Sequence, residues 1–267
     1  MTTDQNDESY ENSSAAPLVE HLAELRTRLI KCVVFFIVGI VICFAIASEI
    51  FNFLAKPIAN ILISNGQEPD LIFTGLQQGF MVNIQISLFG GFILAFPFIG
   101  FQLWQFVAPG LYKAEKGAFL PFLVASPLLF FLGASFAFFV VMPLAFDFFL
   151  GFQQETEESV VEAVGITYLG TINEYLGLSM KFIIAFGLCF QLPVLLTLMG
   201  KAGLVSALGL GKVRKYAVVS ILLVAAIVTP PDVITQIILF AVVYTLYELS
   251  IFMVKLVENQ KSKIINT

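Results

Sequence analysis

Long apolar runs separated by short polar stretches set the reading of this chain. The runs cover residues 29–47, 80–107, 118–146, 175–199, 216–228 and 233–254. A bilayer core is about 30 Å thick and takes roughly 20 apolar residues of helix to cross. Most of the runs meet or nearly meet that length. The fifth has only 13 residues, which at about 1.5 Å per residue reaches roughly 20 Å. It follows the basic cluster Lys212-Val213-Arg214-Lys215 and precedes Thr229-Pro230-Pro231-Asp232. Those flanks argue for a short full crossing over a re-entrant segment. The expected fold is therefore an all-α membrane protein of six transmembrane helices, the last two short.

Composition agrees. The chain is 58% hydrophobic and 12% charged, with 29 Phe among 267 residues, whereas soluble domains are nearer half apolar and a quarter charged. Residues 1–17 are polar and acidic, without a basic n-region, so they read as a disordered tail and not a cleavable signal. The transmembrane domain then occupies 18–258, and 259–267 form a cytoplasmic C-terminal tail. Cys32, Cys43 and Cys189 lie inside apolar runs and indicate no disulfide framework.

Charge orients the spans. With both termini cytoplasmic, 12 of the 14 Lys and Arg fall inside, leaving Lys56 outside and Lys181 within the fourth run. This follows the positive-inside pattern, and omitting any span would reverse the later loops. The loop after the third run carries Glu155, Glu157, Glu158, Glu162 and Glu174 and no basic residue. Pro97, Pro121, Pro127, Pro143 and Pro193 fall within spans. Each lacks a backbone donor and can kink its helix, so a bent, concave bundle is expected.

Polar residues at the membrane edge carry the candidate chemistry. Leu18, Leu22, Leu25 and Leu29 mark one face of an amphipathic helix, with Glu20, Glu24, Arg28 and Lys31 opposite. Glu24 either pairs with Arg28 at i,i+4, worth a few tenths of a kcal/mol, or faces a cationic ligand. Glu115 lies between Lys113 and Lys116, and either pairs with a neighbouring lysine or converges with Glu24. A carboxylate accepts two parallel N–H bonds from one guanidinium, a geometry Lys cannot copy. Two such acids at one membrane edge would suit two arginines. Within the spans, Lys181, Gln191, Gln236 and Glu248 are costly and should face the interior or a wet groove. Gln191, beside Pro193, either satisfies backbone groups freed by the kink or meets a partner helix. Glu248 is expected to snorkel with Lys255 or its neighbours, and Asp232 to cap the sixth span.

Enzyme chemistry finds little support. His21 is the single histidine, and the chain has no Gly-rich phosphate loop, Ser–His arrangement or Cys cluster. No cofactor or metal is expected, and no basic patch suits nucleic acid. A small-solute secondary transporter is the competing class, but the paired broken helices common in such proteins are not evident.

Four segments together resemble a known family. They are His21-Leu22-Ala23-Glu24-Leu25-Arg26, the stretch from Phe106 to Glu115, Phe186-Gly187-Leu188-Cys189-Phe190-Gln191-Leu192-Pro193, and Thr229-Pro230-Pro231-Asp232. In order and spacing, over roughly residues 17–258, they resemble the TatC family, the multispanning subunit of the twin-arginine protein translocase. The resemblance implies a curved, glove-like six-helix fold in the cytoplasmic membrane. It implies that Glu24 and Glu115 receive the twin-arginine signal peptides of folded proteins, with Arg26 and Phe106 beside them. It gives Pro57 and Asp232 functional positions in loops, and Gln191 and Glu248 as intramembrane polar groups that could meet a partner helix. It implies TatA-type and TatB-type single-span partners in a multimeric complex, driven by the proton-motive force. Several relatives carry a glutamate where this chain has Gln191, which puts a protonation step there in doubt.

Overall fold

The computed structural model describes residues 5–107, 120–151, 170–229 and 232–265. These form ten α-helices and one π-helical segment. Helix α1 is Gln5–Ala45, α2 Ala47–Ser64 and α3 Gln78–Val107. Helix α4, Leu120–Phe136, passes through the π segment Ala137–Val141 into α5, Met142–Leu150. Helices α6, Ile172–Cys189, and α7, Leu192–Lys201, follow, and the short α8, Ala207–Lys212, leads to α9, Arg214–Val228, and α10, Val233–Ile265. The extended backbone among the described residues pairs once, in a parallel bridge between Ile72 and Thr171 that ties two loops at one end of the bundle.

Five segments are long and apolar enough to cross a membrane: His21–Ala45, Gln78–Phe106, Pro121–Leu150, Ile172–Lys201 and Val233–Gln260. They coincide with five of the six apolar runs. The fifth run forms α9, which has 15 residues and falls short of the usual length. The expectation that both final helices are short is corrected for the last one. Helix α10 has 33 residues, because no Gly or Pro interrupts Val233 to Ile265. It therefore runs through most of the segment expected as a C-terminal tail, just as α1 begins within the expected N-terminal one.

A second correction concerns Pro57. It lies inside α2 and is buried there, not in a loop. Helix α2 alternates Lys56, Asn52 and Glu49 with apolar positions, and buries Leu54, Ile58 and Leu62. Its mixed composition hid it from a reading based on long apolar runs. Tyr175 of α6 donates its hydroxyl to the Leu54 carbonyl and holds α2 to the bundle.

Glycine sets the closest approaches. Helices α1 and α3 pack antiparallel, with Phe35 stacked on Phe98 at 3.8 Å between ring centroids. A Cβ on Gly39 would sit 2.9 Å from the Gly91 carbonyl oxygen, so the backbones meet only because both residues lack one. Helices α4 and α6 meet in the same way. A Cβ on Gly133 would come within 2.6 Å of the Phe186 carbonyl, and one on Gly187 within 2.6 Å of the Phe130 ring. Phe130, Phe182 and Phe186 are fully buried at this seam.

The prolines act unequally. Pro97 and Pro127 sit inside continuous α-helix, and Pro121 in the first turn of α4. Pro143 has no N–H to donate, and immediately before it the ladder widens, with Met142 N–H reaching Ala137 O. Pro193 stands in the first turn of α7, after the helix pauses at Phe190 and Gln191.

Candidate functional site

The apolar face of the amphipathic segment of α1 points outward: Leu22 and Leu29 are about 60% exposed (62% and 60%). The polar face turns toward the end of α3, the reverse of a soluble helix and as expected beside lipid. Glu24 and Arg28, one helical turn apart, meet on that face. Arg28 donates from Nε and Nη2 to the same oxygen, Glu24 Oε1, at 2.9 and 2.6 Å. Its Nη1 donates to Gln102 Oε1 at 3.1 Å and to Gln105 Oε1 at 2.5 Å on α3. The guanidinium therefore stitches α1 to α3 and is only 18% exposed.

The local ion pair read from spacing is present, but it leaves a free end. Among the described residues, the ion-pair partner near Glu24 Oε2 is the His21 ring, at 3.8 Å. His21 stacks on Phe106 at 4.2 Å between centroids, 12° from parallel, so Phe106 closes the side of the site. Glu24 thus sits in a pocket edge with one oxygen anchored and one presented, its side chain 35% exposed. That arrangement can accept a guanidinium or ammonium from outside without first releasing Arg28. Arg26 is exposed and, two residues from Glu24, lies on the opposite side of α1, the side of Leu22 and Leu29. Glu115 lies outside the described residues, as do Lys113 and Lys116.

Two residues of this site escaped the sequence reading. Gln102 and Gln105 are one turn apart at the end of an apolar run, and Gln102 is buried. Paired amides at i,i+3 in such a run are the signal that could have identified them.

The other polar positions are used within the chain. Gln191 accepts from Ser126 Oγ at 2.7 Å and donates from Nε2 to the Ser126 carbonyl at 2.8 Å. Ser126 precedes Pro127 on α4, so Gln191 clamps two helices together instead of repairing its own kink. These bonds use one donor and one acceptor site of the amide, which retains one of each. Glu248 pairs with Arg214 and not with Lys255. Arg214 donates from Nε and Nη2 to the two carboxylate oxygens at 2.7 and 2.8 Å, and Tyr244 donates to Oε1 at 3.0 Å. This bidentate pair joins the start of α9 to α10. Asp232 caps α10: its carboxylate accepts from the Thr235 backbone N–H at 2.7 Å and from the Thr235 hydroxyl. Pro57 supports α2 away from these groups. Lys181 lines a groove between α3, α6 and the end of α9.

Comparison with known proteins identifies the family. The family model "Sec-independent protein translocase protein (TatC)" matches residues 20–241. The chain is 46% identical to the Sec-independent protein translocase protein TatC of Magnetococcus marinus over 248 residues, covering 93% of this chain and 87% of that protein. It is 39% identical to the TatC of Aquifex aeolicus, covering 93% and 98% of the two chains. It is 36% identical to that of Escherichia coli, covering 88% and 87%. A crystal structure described as the twin-arginine translocase receptor TatC superposes with a TM-score of 0.76 at 39% identity, covering 89% of this chain and 99% of that one. With a family model spanning most of its length and relatives this similar, the chain belongs to the TatC family of Sec-independent protein translocase proteins, a transport family and not an enzyme family.

Proposed function

We propose that this protein is the signal-peptide receptor of a twin-arginine translocase, and that Glu24 and Glu115 each receive one arginine of the signal. The observation that carries the reading is Glu24 itself. One oxygen is anchored by Arg28 and the other is presented beside His21 and Phe106. A preorganised carboxylate at a partly apolar edge suits a guanidinium, because little ordering remains to be done on binding.

In this reading the chain crosses the cytoplasmic membrane six times, with α9 as the short fifth span and both termini cytoplasmic. The positive-inside charge distribution supports that topology. The spans form a curved bundle with a concave face. Folded proteins bearing twin-arginine signals are exported with TatA-type and TatB-type single-span partners in a multimeric complex, driven by the proton-motive force. Helix α9, with 15 residues, favours a partner with a similarly short helix, since matched lengths limit bilayer distortion.

The test is export of a folded twin-arginine reporter by a Glu115→Ala variant that accumulates normally in the membrane. Export should be abolished. Wild-type export would remove Glu115 from the site.

A further inference from the structure

The groove that holds Lys181 is lined by none of the residues assigned above to arginine recognition. It has a volume of about 790 Å³ and lies between α3, α6 and the last residues of α9. Gln85 and Asn173 stand at the start of the α3 and α6 walls, and Lys181 lies midway along the α6 wall. Asn173 and Lys181 lie on one wall and Gln85 on the other, and beyond them the lining is apolar, as at Phe92 and Leu188. Lys181 is exposed, and among the described residues it makes no hydrogen bond or ion pair. Glu174, two turns earlier on the same helix, lines a different cavity.

The groove also marks where the short α9 ends. Ile227 and Val228, at the end of α9, border the same groove as Lys181. Yet Lys181 lies about nine residues into α6, roughly 13 Å from that helix's start. Helix α9 ends among the residues of this groove, whose α6 wall runs from Asn173 to Leu188 with Lys181 midway. A bilayer facing too short a helix thins toward it, which draws phosphates to that level. An ammonium placed there, above an apolar channel, matches an amphiphile with an anionic head and a hydrocarbon tail.

We propose that this groove binds one phospholipid from the leaflet that meets the α9–α10 turn. Its phosphate rests on Lys181, its outer headgroup atoms face Asn173, and an acyl chain runs past Phe92 and Leu188. A partner helix bearing an acid is the less favoured occupant, because beyond Gln85, Asn173 and Lys181 the lining has no polar group for a helix to read.

Native mass spectrometry of the purified full chain in detergent, with phosphatidylglycerol as the probe, tests this. The wild type should retain one phosphatidylglycerol. Lys181→Gln should lower its occupancy by about tenfold, the loss of one ammonium–phosphate contact. Lys181→Arg should retain the lipid. Leu88→Trp, which fills the apolar part and leaves the ammonium in place, should also lose it; the two losses together exclude simple misfolding when the melting temperatures match the wild type. Millimolar inorganic phosphate should not displace the lipid. Wild-type lipid occupancy in Lys181→Gln would overturn the proposal. So would displacement by free phosphate, which indicates an anion site, or unchanged lipid with loss of a co-purifying single-span protein, which indicates a helix site.

Discussion

Replacing Glu24 separates charge from shape at the arginine site. Glu24→Gln keeps a carbonyl oxygen where Oε1 now accepts the two Arg28 donors at 2.9 and 2.6 Å. Arg28 also keeps Gln102 and Gln105, so the α1–α3 junction should survive with a loss of about 1 kcal/mol or less. What disappears is the negative charge at Oε2. A hydrogen bond to a charged group contributes roughly 1.5–3 kcal/mol, so binding of a twin-arginine peptide should weaken by about 10- to 100-fold. Glu24→Lys does more, because it sets an ammonium against Arg28. Two like charges 4 Å apart repel by about 4 kcal/mol at an effective dielectric of 20. Exposure of about a third of the Glu24 side chain makes that an upper bound. Peptide affinity is measured by fluorescence anisotropy on the detergent-solubilised protein, and stability by thermal unfolding of the same samples. Glu24→Gln should bind weakly and melt near the wild type, and Glu24→Lys should fail in both. Equal affinity of the two variants would refute electrostatic capture, and a large melting shift in Glu24→Gln would reduce Glu24 to a structural residue.

Three further outcomes follow from the packing. Gln191→Ala should lower stability by about 1–3 kcal/mol by stranding its buried partner; Ser126→Ala should cost less, and the double variant less than the sum, as a thermal double-mutant cycle would show. Gly133→Ala places a Cβ 2.6 Å from the Phe186 carbonyl and should cost about 1–3 kcal/mol as overpacking, whereas Gly177→Ala, which meets nothing within 4 Å, should leave the melting temperature within a degree or so of wild type. Asp232→Ala should cost about 0.5–2 kcal/mol through the lost cap of α10, with Asp232→Asn largely restoring it; equal melting of the Ala and Asn variants would count against the capping role.

Much of this protein can be read in one dimension. Five of the six apolar runs became membrane-length helices, with ends displaced from the expected ones by at most eight residues, because transfer of a side chain into lipid is a local property that sums along the chain. The Asp232 cap and the Glu24–Arg28 pair are also local: three and four residues fix their geometry. Helix α2 was missed for the same reason, since its burial depends on α3, α5 and α6 and not on its own hydropathy. Only the tertiary structure decided which polar groups meet across helices. Arg28 reaches two glutamines more than seventy residues away, Gln191 reaches Ser126, and Glu248 chooses Arg214 over Lys255. Each choice rests on helix rotation and depth, which are set where glycines such as Gly39 and Gly91 let two backbones touch. Sequence alone established that costly polar residues must find partners in the membrane; the partners are a property of the packed bundle.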